Sequence, residues 1–353
     1  MPPKKSPPHD EPMSLPLRVA GRGICCSVGH NARAATAAIR ARLNHFRETE
    51  FVDYNGLPLI GSMLYGVEHW GEIRFNAMFE AVLNECLAPF GEIASEAIAL
   101  LLLLPESERP GAPTGWVDFT STDGRFLPDS GYHPESRALR LGKAGIASVV
   151  QQAQGLFTQI KSPPKLVAVV AVDSFFTSTT LTHYLKKERI KTPDNTDGFT
   201  PAEAAAAVVL TPDPTQAPAL WIDGVASADE PAPIGSDSPC LAKGLSQAMR
   251  GAARAAQCEL SSLAFHASGI SGEGWYFREA SLALTRTLEQ RVAHFPHELI
   301  ARSVGETGAA TPILTLAWLA DAMGRPQGPG SGALLHFSND NPLRSALVVH
   351  YRN

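Results

Sequence analysis

Cysteines are the first residues to consider for chemistry, because thiolates serve both as nucleophiles and as metal ligands. The 353-residue chain contains five, Cys25, Cys26, Cys86, Cys240 and Cys258. Their number is odd and no two have the C-x-x-C spacing of zinc and redox motifs, so neither a disulfide framework nor a zinc site is predicted. We interpret all five, including the adjacent pair, as reduced and mostly buried thiols of a cytoplasmic protein.

The other familiar catalytic and cofactor motifs are missing or incomplete. Gly21 and Gly23 begin a G-x-G, but Cys26 stands where a dinucleotide-binding loop has its third glycine. The sequence contains no G-x-x-x-x-G-K-[ST] phosphate loop, no H-E-x-x-H zinc motif and no G-x-S-x-G nucleophile turn. We therefore predict no cofactor and no metal. The charged cluster at 186–189 is interpreted as the solvated end of a helix.

The composition argues against a nucleic-acid-binding protein and against a membrane-spanning protein. The net charge of -5 argues against a broad nucleic-acid-binding surface, and 44% hydrophobic residues are enough for a large core. The longest apolar run, at 97–104, has eight residues, whereas a membrane span needs about 20. The first 16 residues are rich in proline and lack the apolar segment of a signal peptide, so we predict a disordered tail. We expect a cytoplasmic protein that binds neither nucleic acid nor membrane.

Apolar runs and amphipathic stretches alternate along the chain in the order typical of an α/β fold. The run at 166–172 is apolar and rich in β-branched residues, which predicts a strand buried on both faces. A long helical stretch is predicted over 137–160 in spite of its glycines. A proline-rich break at 211–218 separates two strand–helix series, predicted as halves at 17–212 and 218–353. Their similar length suggests an internal duplication.

Five segments, taken in order, carry a resemblance to a known family. They are LRVAGRGICCSVGHNARAATAAIRA, VAVVAVDSFFTSTTLTHYLKKERIKTPDNTDGFTPAEAAAAVVL, LAFHASGISGEGWYFREASLAL, RSVGETGAATPILTLAWLADAM and LLHFSNDNPLRSALVV. Together they resemble the β-ketoacyl synthases, whose later motifs are GFxPGEAAAxxxL, HGTGTxxxDxxE, KSxxGHxxxAAG and NxFGFGGxNxxLVL. The resemblance implies a thiolase-like α/β fold: two similar βαβ-type halves with mostly parallel sheets and helices between them.

The resemblance also implies where catalysis would take place, and the nucleophile is missing there. β-Ketoacyl synthases use a cysteine at the N-terminus of a buried helix, where the helix dipole lowers the pKa of the thiol. The corresponding position lies at or near Gly145, and no cysteine occurs between Cys86 and Cys240. Ser148 follows three residues later and is only a weak substitute, because no base is evident nearby.

Two further elements of the family's mechanism are altered. His266 matches the first catalytic histidine, but Glu306 stands where the second belongs. An ionised Glu306 would repel the enolate formed on decarboxylation, so we interpret it as a polar residue that fills the former pocket and could bond to His266. The flexible Gly-Phe-Gly-Gly loop is matched by Asp-Asn-Pro-Leu at 340–343, whose proline and large side chains cannot reproduce it.

Because three elements of one mechanism are missing together, we predict a degenerate member of the family that does not condense acyl groups. Its expected role is interaction or regulation, and an accessory role in a bacterial secretion system is one form of it. Two alternatives stay open. One is an acyltransferase or acyl-binding enzyme with altered chemistry, and the other is a subunit of a heterodimeric synthase that resembles a chain length factor.

The resemblance further implies a dimer. In the family, the strand that corresponds to 166–172 pairs antiparallel with its copy across a twofold axis, so we predict a homodimer or heterodimer formed by this strand. Arg137, Arg140 and Lys143 could meet an acidic acyl carrier protein, although the polar face of a surface helix is the favoured interpretation. An acyl carrier protein and a secretion chaperone are further candidate partners.

Overall fold

The computed structural model describes residues 15–112, 131–214 and 218–353. Residues 1–14 of the predicted disordered tail, and residues 215–217 of the proline-rich break, lie outside the described residues. At the end of the predicted tail, Leu15 packs against the core, and its carbonyl oxygen accepts a hydrogen bond of 2.7 Å from the side-chain amide of Gln154. The ordered fold therefore includes this residue.

Twelve strands and eight α-helices lie within these ranges. The strands are β1 (Leu17–Cys26), β2 (Arg47–Val52), β3 (Pro58–Gly61), β4 (Ile98–Leu104), β5 (Arg137–Arg140), β6 (Leu166–Ser174), β7 (Glu203–Thr211), β8 (Ala219–Asp229), β9 (Phe265–Ser268), β10 (His297–Leu299), β11 (Gly332–Ser338) and β12 (Leu343–Arg352). The helices are α1 (Ala32–Arg40), α2 (Gly71–Leu87), α3 (Ile146–Thr158), α4 (Ser178–Lys186), α5 (Lys243–Ala255), α6 (Gly274–Thr287), α7 (Ala301–Val304) and α8 (Thr311–Ala322). None of these helices is long and apolar enough to cross a membrane.

Ten strands form one mixed sheet that repeats the same pattern twice. The first half runs β5-β4-β6-β7-β1, and the second runs β10-β9-β11-β12-β8. In each half the outer three strands are parallel and the last two are antiparallel to their neighbours. The halves meet where β1 pairs with β8, through Leu17 opposite Ile222 and Arg18 opposite Trp221. The two halves of the sheet therefore share one strand order.

The sheet is buried on both faces, because the helices that connect its strands pack against both of them. Both β4 and β6 are buried over their whole length. Along β4, Leu101 and Leu103 face a core shared with α3 and α8, whereas Leu100 and Leu102 face a second core shared with α2. The helix α8 is mostly apolar and nearly all of it is buried, as expected for a helix in the central layer.

The G-x-G at the start of the chain is a packing feature of β1. A Cβ atom at Gly21 would overlap the backbone oxygen of Cys86, and one at Gly23 would overlap the backbone oxygen of Val82. Glycine at both positions therefore lets α2 lie directly against β1. This close approach accounts for a motif that is incomplete as a dinucleotide-binding loop.

The predicted helix over 137–160 is wrong in its first part. Residues 137–140 form β5, which pairs in parallel with β4, and α3 begins only at Ile146. Gly142 lies between β5 and α3 and has a φ of 62°. Glycine adopts this left-handed conformation readily, and the conformation ends a regular helix or strand. The favoured interpretation of Arg137, Arg140 and Lys143 as one face of a surface helix is therefore wrong as well.

The predicted dimer strand at 166–172 is also wrong in its role. It is the central part of β6, which is hydrogen-bonded to β7 on one side and to β4 on the other. A strand with both edges occupied in its own sheet has no free backbone groups for a second chain. Within the part of the chain that the structure describes, the edge strands of the sheet are β5 and β10.

Candidate functional site

A buried ion pair lies at the turn where the sequence placed the lost nucleophile. Gly142 starts this turn, and Gly145 immediately precedes α3. Lys143, between them, has its Nζ 2.6 Å from Oε2 of Glu306 and donates to the carbonyl oxygen of Gly269 at 3.3 Å. The side chains of Lys143 and Glu306 are only 14% and 4% exposed. Lys143 is therefore the residue of this turn that reaches Glu306.

Glu306 is held by several donors at once. Its Oε1 accepts the backbone N–H of Gly308 at 2.8 Å, and its Oε2 accepts the hydroxyl of Ser271 at 2.5 Å in addition to the Lys143 ammonium. The expected bond from Glu306 to His266 is not formed. Charge-assisted hydrogen bonds of this kind are the strong ones, so the carboxylate is fixed in position rather than free to meet a substrate.

Arg189 forms a second ionic cluster beside the first. Its guanidinium binds both oxygens of Glu273, at 2.6 and 3.0 Å, and both oxygens of Asp340, at 2.7 and 2.9 Å. The hydroxyls of Tyr184 and Tyr276 donate to the same Asp340 at 3.0 and 2.5 Å. The interpretation of 186–189 as a solvated helix end is thus wrong for Arg189, whose side chain is only 13% exposed.

A third ion pair joins Arg109 and Asp173. Arg109 donates through two nitrogens to the carboxylate of Asp173, at 2.8 and 2.5 Å, and lies over the ring of Phe175 with its Cζ 4.6 Å from the ring centroid. The backbone N–H of Ala309 also donates to Asp173 at 2.8 Å. Both charged side chains are almost completely buried, so this pair is part of the interior.

These three clusters surround a cavity of only about 30 Å³. Its volume is close to that of a single water molecule, whereas pockets for small-molecule ligands usually measure about 300–1,000 Å³. All members of the three ion clusters except Asp173 line it, together with a few neighbours, Glu106, Phe175, Tyr184, Phe199 and Gly308. We call this arrangement the ionic plug, meaning the side chains of Lys143, Glu306, Arg189, Glu273, Asp340, Arg109 and Asp173.

The ionisation of the plug follows from its pairing. Burial would lower the pKa of Lys143, but the Glu306 carboxylate outweighs this effect and the pKa lies above its ordinary value. Burial would raise the pKa of Asp340, yet the hydrogen bonds and charge of Arg189 hold it well below its ordinary value. The lysine therefore stays protonated and the aspartate stays ionised at neutral pH, so neither is poised to act as a general acid or base.

His266 lies in a different cluster. Alternate residues of β9 point to opposite faces, and His266 shares its face with His297 on β10 and His336 on β11. Its Nδ1 is 3.1 Å from Nε2 of His336, and its ring lies 4.0 Å from that of His297. Burial lowers the pKa of His266 to about 3 and, together with Arg302, that of His297 to about 4, so both are neutral imidazoles at pH 7.

The three histidines are also one of two groups among the described residues that could hold a metal ion, the other being Glu230, Cys240 and Glu279. One nitrogen from each histidine lies within 4.8 Å of the others. Their ring planes, however, are inclined to one another by only 15–31°, whereas lone pairs that share one metal must converge on it. The observed arrangement is that of stacked neutral rings, with the Ser268 hydroxyl 2.7 Å from Nε2 of His297.

The structure places the remaining candidate nucleophiles away from the ionic plug. Ser148 lies on α3 beside Glu135 and Arg137 at the protein surface. Burial raises the pKa of the thiols of Cys25 and Cys26 to about 12 and about 11, so both remain protonated. Thiols in this state pack like small apolar side chains, which agrees with the structural role expected for the pair.

Comparison with known proteins gives a consistent result at the level of the fold. No family model and no curated protein matches the sequence. One solved structure is a complex of a type II PKS acyl-carrier protein with its ketosynthase. A chain of that complex superposes on this protein with a TM-score of 0.78 at 13% identity, and the match covers 96% of this chain and all of that one. This protein has the thiolase-like fold of the ketosynthases.

Two further structures with the ketosynthase fold show the same degree of likeness. A chain from a ketosynthase in complex with its chain length factor, from Xenorhabdus doucetiae, has a TM-score of 0.71 at 12% identity, over 96% of this chain and 98% of that one. A β-ketoacyl synthase from Burkholderia phymatum has a TM-score of 0.70 at 14% identity, over 97% of this chain and all of that one. Identities this low establish the fold and leave the activity open.

Sequence reasoning missed most of the plug that this ketosynthase-fold protein contains. It singled out Glu306 and noted Asp340, but it assigned Lys143 and Arg189 to solvated surfaces. Their partners are 163 and 151 residues away along the chain, so spacing gave no sign of the pairs. One available signal was the replacement of a glycine-rich loop by one that begins with aspartate, since a buried carboxylate needs a cation.

Proposed function

We propose that this protein is a non-condensing subunit of ketosynthase fold, which acts by association with another protein chain in the manner of a chain length factor. The observation that carries the proposal is the ionic plug, which leaves a cavity of about 30 Å³ at the site bounded by Lys143 and Glu306. No cysteine lies between Cys86 and Cys240 to form a thioester. The site therefore lacks the cysteine nucleophile of the family, and the described residues around it leave no space for an acyl group.

The chemistry of the plug supports the same proposal. Decarboxylation creates an enolate, which an enzyme stabilises with neutral or positive donors that are free to approach it. Here the Glu306 carboxylate carries a negative charge into the site, and the Lys143 ammonium is already bound to it at 2.6 Å. The acyltransferase alternative finds no comparable support, because Ser148 lies at a separate surface.

Association is supported by the distribution of exposed apolar side chains. Most of the large ones in the described residues lie in one stretch of the first half, at Leu43, Val52, Tyr54, Leu57, Ile60, Tyr65, Trp70 and Ile73. Exposed apolar side chains that form a contiguous patch are typical of surfaces that another protein covers, and we infer such a patch on this stretch. Structurally similar proteins include a ketosynthase in complex with its chain length factor, which makes a cysteine-bearing ketosynthase or a second copy the partner we infer.

We infer that the partner pairs with the edge strand β5. Within residues 15–112, 131–214 and 218–353, β4 is the one strand that pairs with β5, so no other strand of these ranges covers the second edge of β5. Successive backbone N–H groups of a strand point to opposite edges, so one of Ala138 and Leu139 donates inward and the other outward. Proline at the outward position removes a donor from the interface and leaves the β4–β5 pairing intact.

The test compares Ala138→Pro with Leu139→Pro. We expect one variant to keep the melting temperature of the unchanged protein and to run as a single chain in native mass spectrometry, where the unchanged protein runs as two chains or binds a co-expressed ketosynthase. The other variant, which loses an internal hydrogen bond, serves as the control and melts earlier. A stable variant that still forms the two-chain particle contradicts pairing through β5.

A further inference from the structure

A second cavity, separate from the ionic plug, has the size and lining of a ligand site. It measures about 560 Å³ and lies between the end of α1, the strand β10, α7 and the end of α8. This volume is within the range of about 300–1,000 Å³ that small-molecule pockets occupy. None of its lining residues belongs to the plug.

The charge of this cavity is strongly positive for a protein whose net charge is -5. Arg40, Arg42, Arg302 and Arg325 line it, and Glu298 is the one acidic residue among its lining residues. Four guanidinium groups line one concave surface, and those without a carboxylate partner repel each other unless an anion is present. The arrangement therefore favours a negatively charged occupant.

The four arginines fall into two pairs with different partners. Arg40 and Arg325 are bound to the carboxylate of Asp321, at 3.2 and 2.8 Å, which holds them at the rim. Arg42 and Arg302 form no ion pair with any carboxylate in the described parts of the chain. Their donors are thus available for a carboxylate or phosphate, groups that the planar guanidinium binds through two parallel hydrogen bonds.

The rest of the lining is apolar. Ile39, Leu299, Ile300, Trp318 and Ala322 form part of the wall. A site with a few cationic groups and an apolar wall selects a molecule that has both a charged head and an apolar body. A purely ionic ligand leaves the wall uncovered, and a purely apolar one leaves the arginines unpaired.

We propose that this cavity binds a small amphipathic anion, with its carboxylate or phosphate between Arg42 and Arg302 and its apolar part against Ile39, Leu299 and Trp318. The site is independent of the proposed pairing through β5. It gives the protein a ligand-binding function in addition to association.

The test uses 8-anilinonaphthalene-1-sulfonate, an aromatic anion whose fluorescence rises in apolar sites, as the probe. We expect saturable binding to the full chain and displacement of the probe by octanoate and by octyl phosphate. Neither 1-octanol nor inorganic phosphate should displace it at the same concentration, because each offers only half of the required chemistry. The double variant Arg42→Ala/Arg302→Ala should bind the probe and octanoate about tenfold more weakly.

The controls separate this site from general attraction to a charged surface. The variant Arg33→Ala/Arg291→Ala loses the same two charges from exposed positions outside the cavity and should bind as the unchanged protein does. The variant Arg42→Lys/Arg302→Lys, which keeps the charge, should lose less affinity than the alanine pair. Equal binding by the two alanine pairs, displacement by 1-octanol as effective as by octanoate, or no saturable binding overturns the proposal.

Discussion

Replacing Arg189 with methionine is expected to lower the free energy of unfolding by about 3 kcal/mol. The guanidinium is the shared partner of Glu273 and Asp340, and its removal leaves the Glu273 side chain, which is 8% exposed, without its hydrogen-bonded counter-charge, so that only the more distant Lys143 offsets it. Asp340 is 40% exposed and contributes less to the loss of stability, because water can replace part of its hydrogen bonding to Arg189. Urea unfolding of the purified variant measures the effect.

Two further variants distinguish a lost ion pair from lost packing. Lys187→Met removes a solvated charge two residues earlier and should change stability by no more than about 0.5 kcal/mol. The triple variant Arg189→Met/Glu273→Gln/Asp340→Asn removes the stranded charges together and should recover most of the loss. If Arg189→Met is as stable as Lys187→Met, the buried ionic cluster does not exist in solution.

Acidification from pH 7.5 to pH 5 is expected to destabilise the fold through the histidine cluster. In the folded chain the pKa values of His266 and His297 are about 3 and about 4, and the ordinary value is 6.5. Below pH 6.5 the unfolded chain therefore binds protons that the folded chain does not, so the free energy of unfolding falls as the pH falls. The loss at pH 5 amounts to about 2 kcal/mol for each such histidine.

The contribution of one ring is isolated by a matched pair of variants. His297→Asn removes a member of the cluster, whereas His294→Asn alters an exposed histidine three residues earlier. We expect the difference in unfolding free energy between pH 7.5 and pH 5 to shrink by about 2 kcal/mol in His297→Asn and to stay unchanged in His294→Asn. Equal pH dependence in both variants contradicts a buried neutral His297.

Much of the fold could be predicted from the sequence because its elements are strongly patterned. The apolar runs that became β4 and β6 are buried over their whole length, and continuous apolar runs of seven or eight residues are typical of strands covered on both faces. The order of strands could not be derived in the same way. An apolar run shows that a strand is buried and does not show which strands flank it, and for this reason β6 was mistaken for an interface.

Local propensity also explains the error at 137–160. Arg-Ala-Leu-Arg favours a helix when read alone, and it lies close to a true helix. Its pairing with β4, which tertiary contacts decide, overrides that preference. The hairpin formed by β2 and β3 was missed although exposed residues alternate with less exposed ones along both strands, because β3 is only four residues long and most residues of β2 are polar or charged.

The candidate site shows the same division between local and long-range information. The absence of a cysteine near Gly145 and the presence of Glu306 are properties of the sequence, and both were apparent there. The pairing of Lys143 with Glu306 depends on how two distant turns meet in the folded chain. A loss of catalytic residues can therefore be inferred from the sequence. Which side chains fill the vacated space depends on the folded structure.

The central claim is that the site between Lys143 and Glu306 accepts no acyl group, and intact-mass analysis tests it most directly. The folded protein would be incubated with octanoyl-CoA and with octanoyl acyl carrier protein, beside a cysteine-bearing ketosynthase as the positive control. We predict an unchanged mass for this protein and an octanoyl adduct on the control. A stoichiometric adduct on the folded chain, absent after heat unfolding or in Ser148→Ala, would contradict the non-condensing account and indicate an acyltransferase.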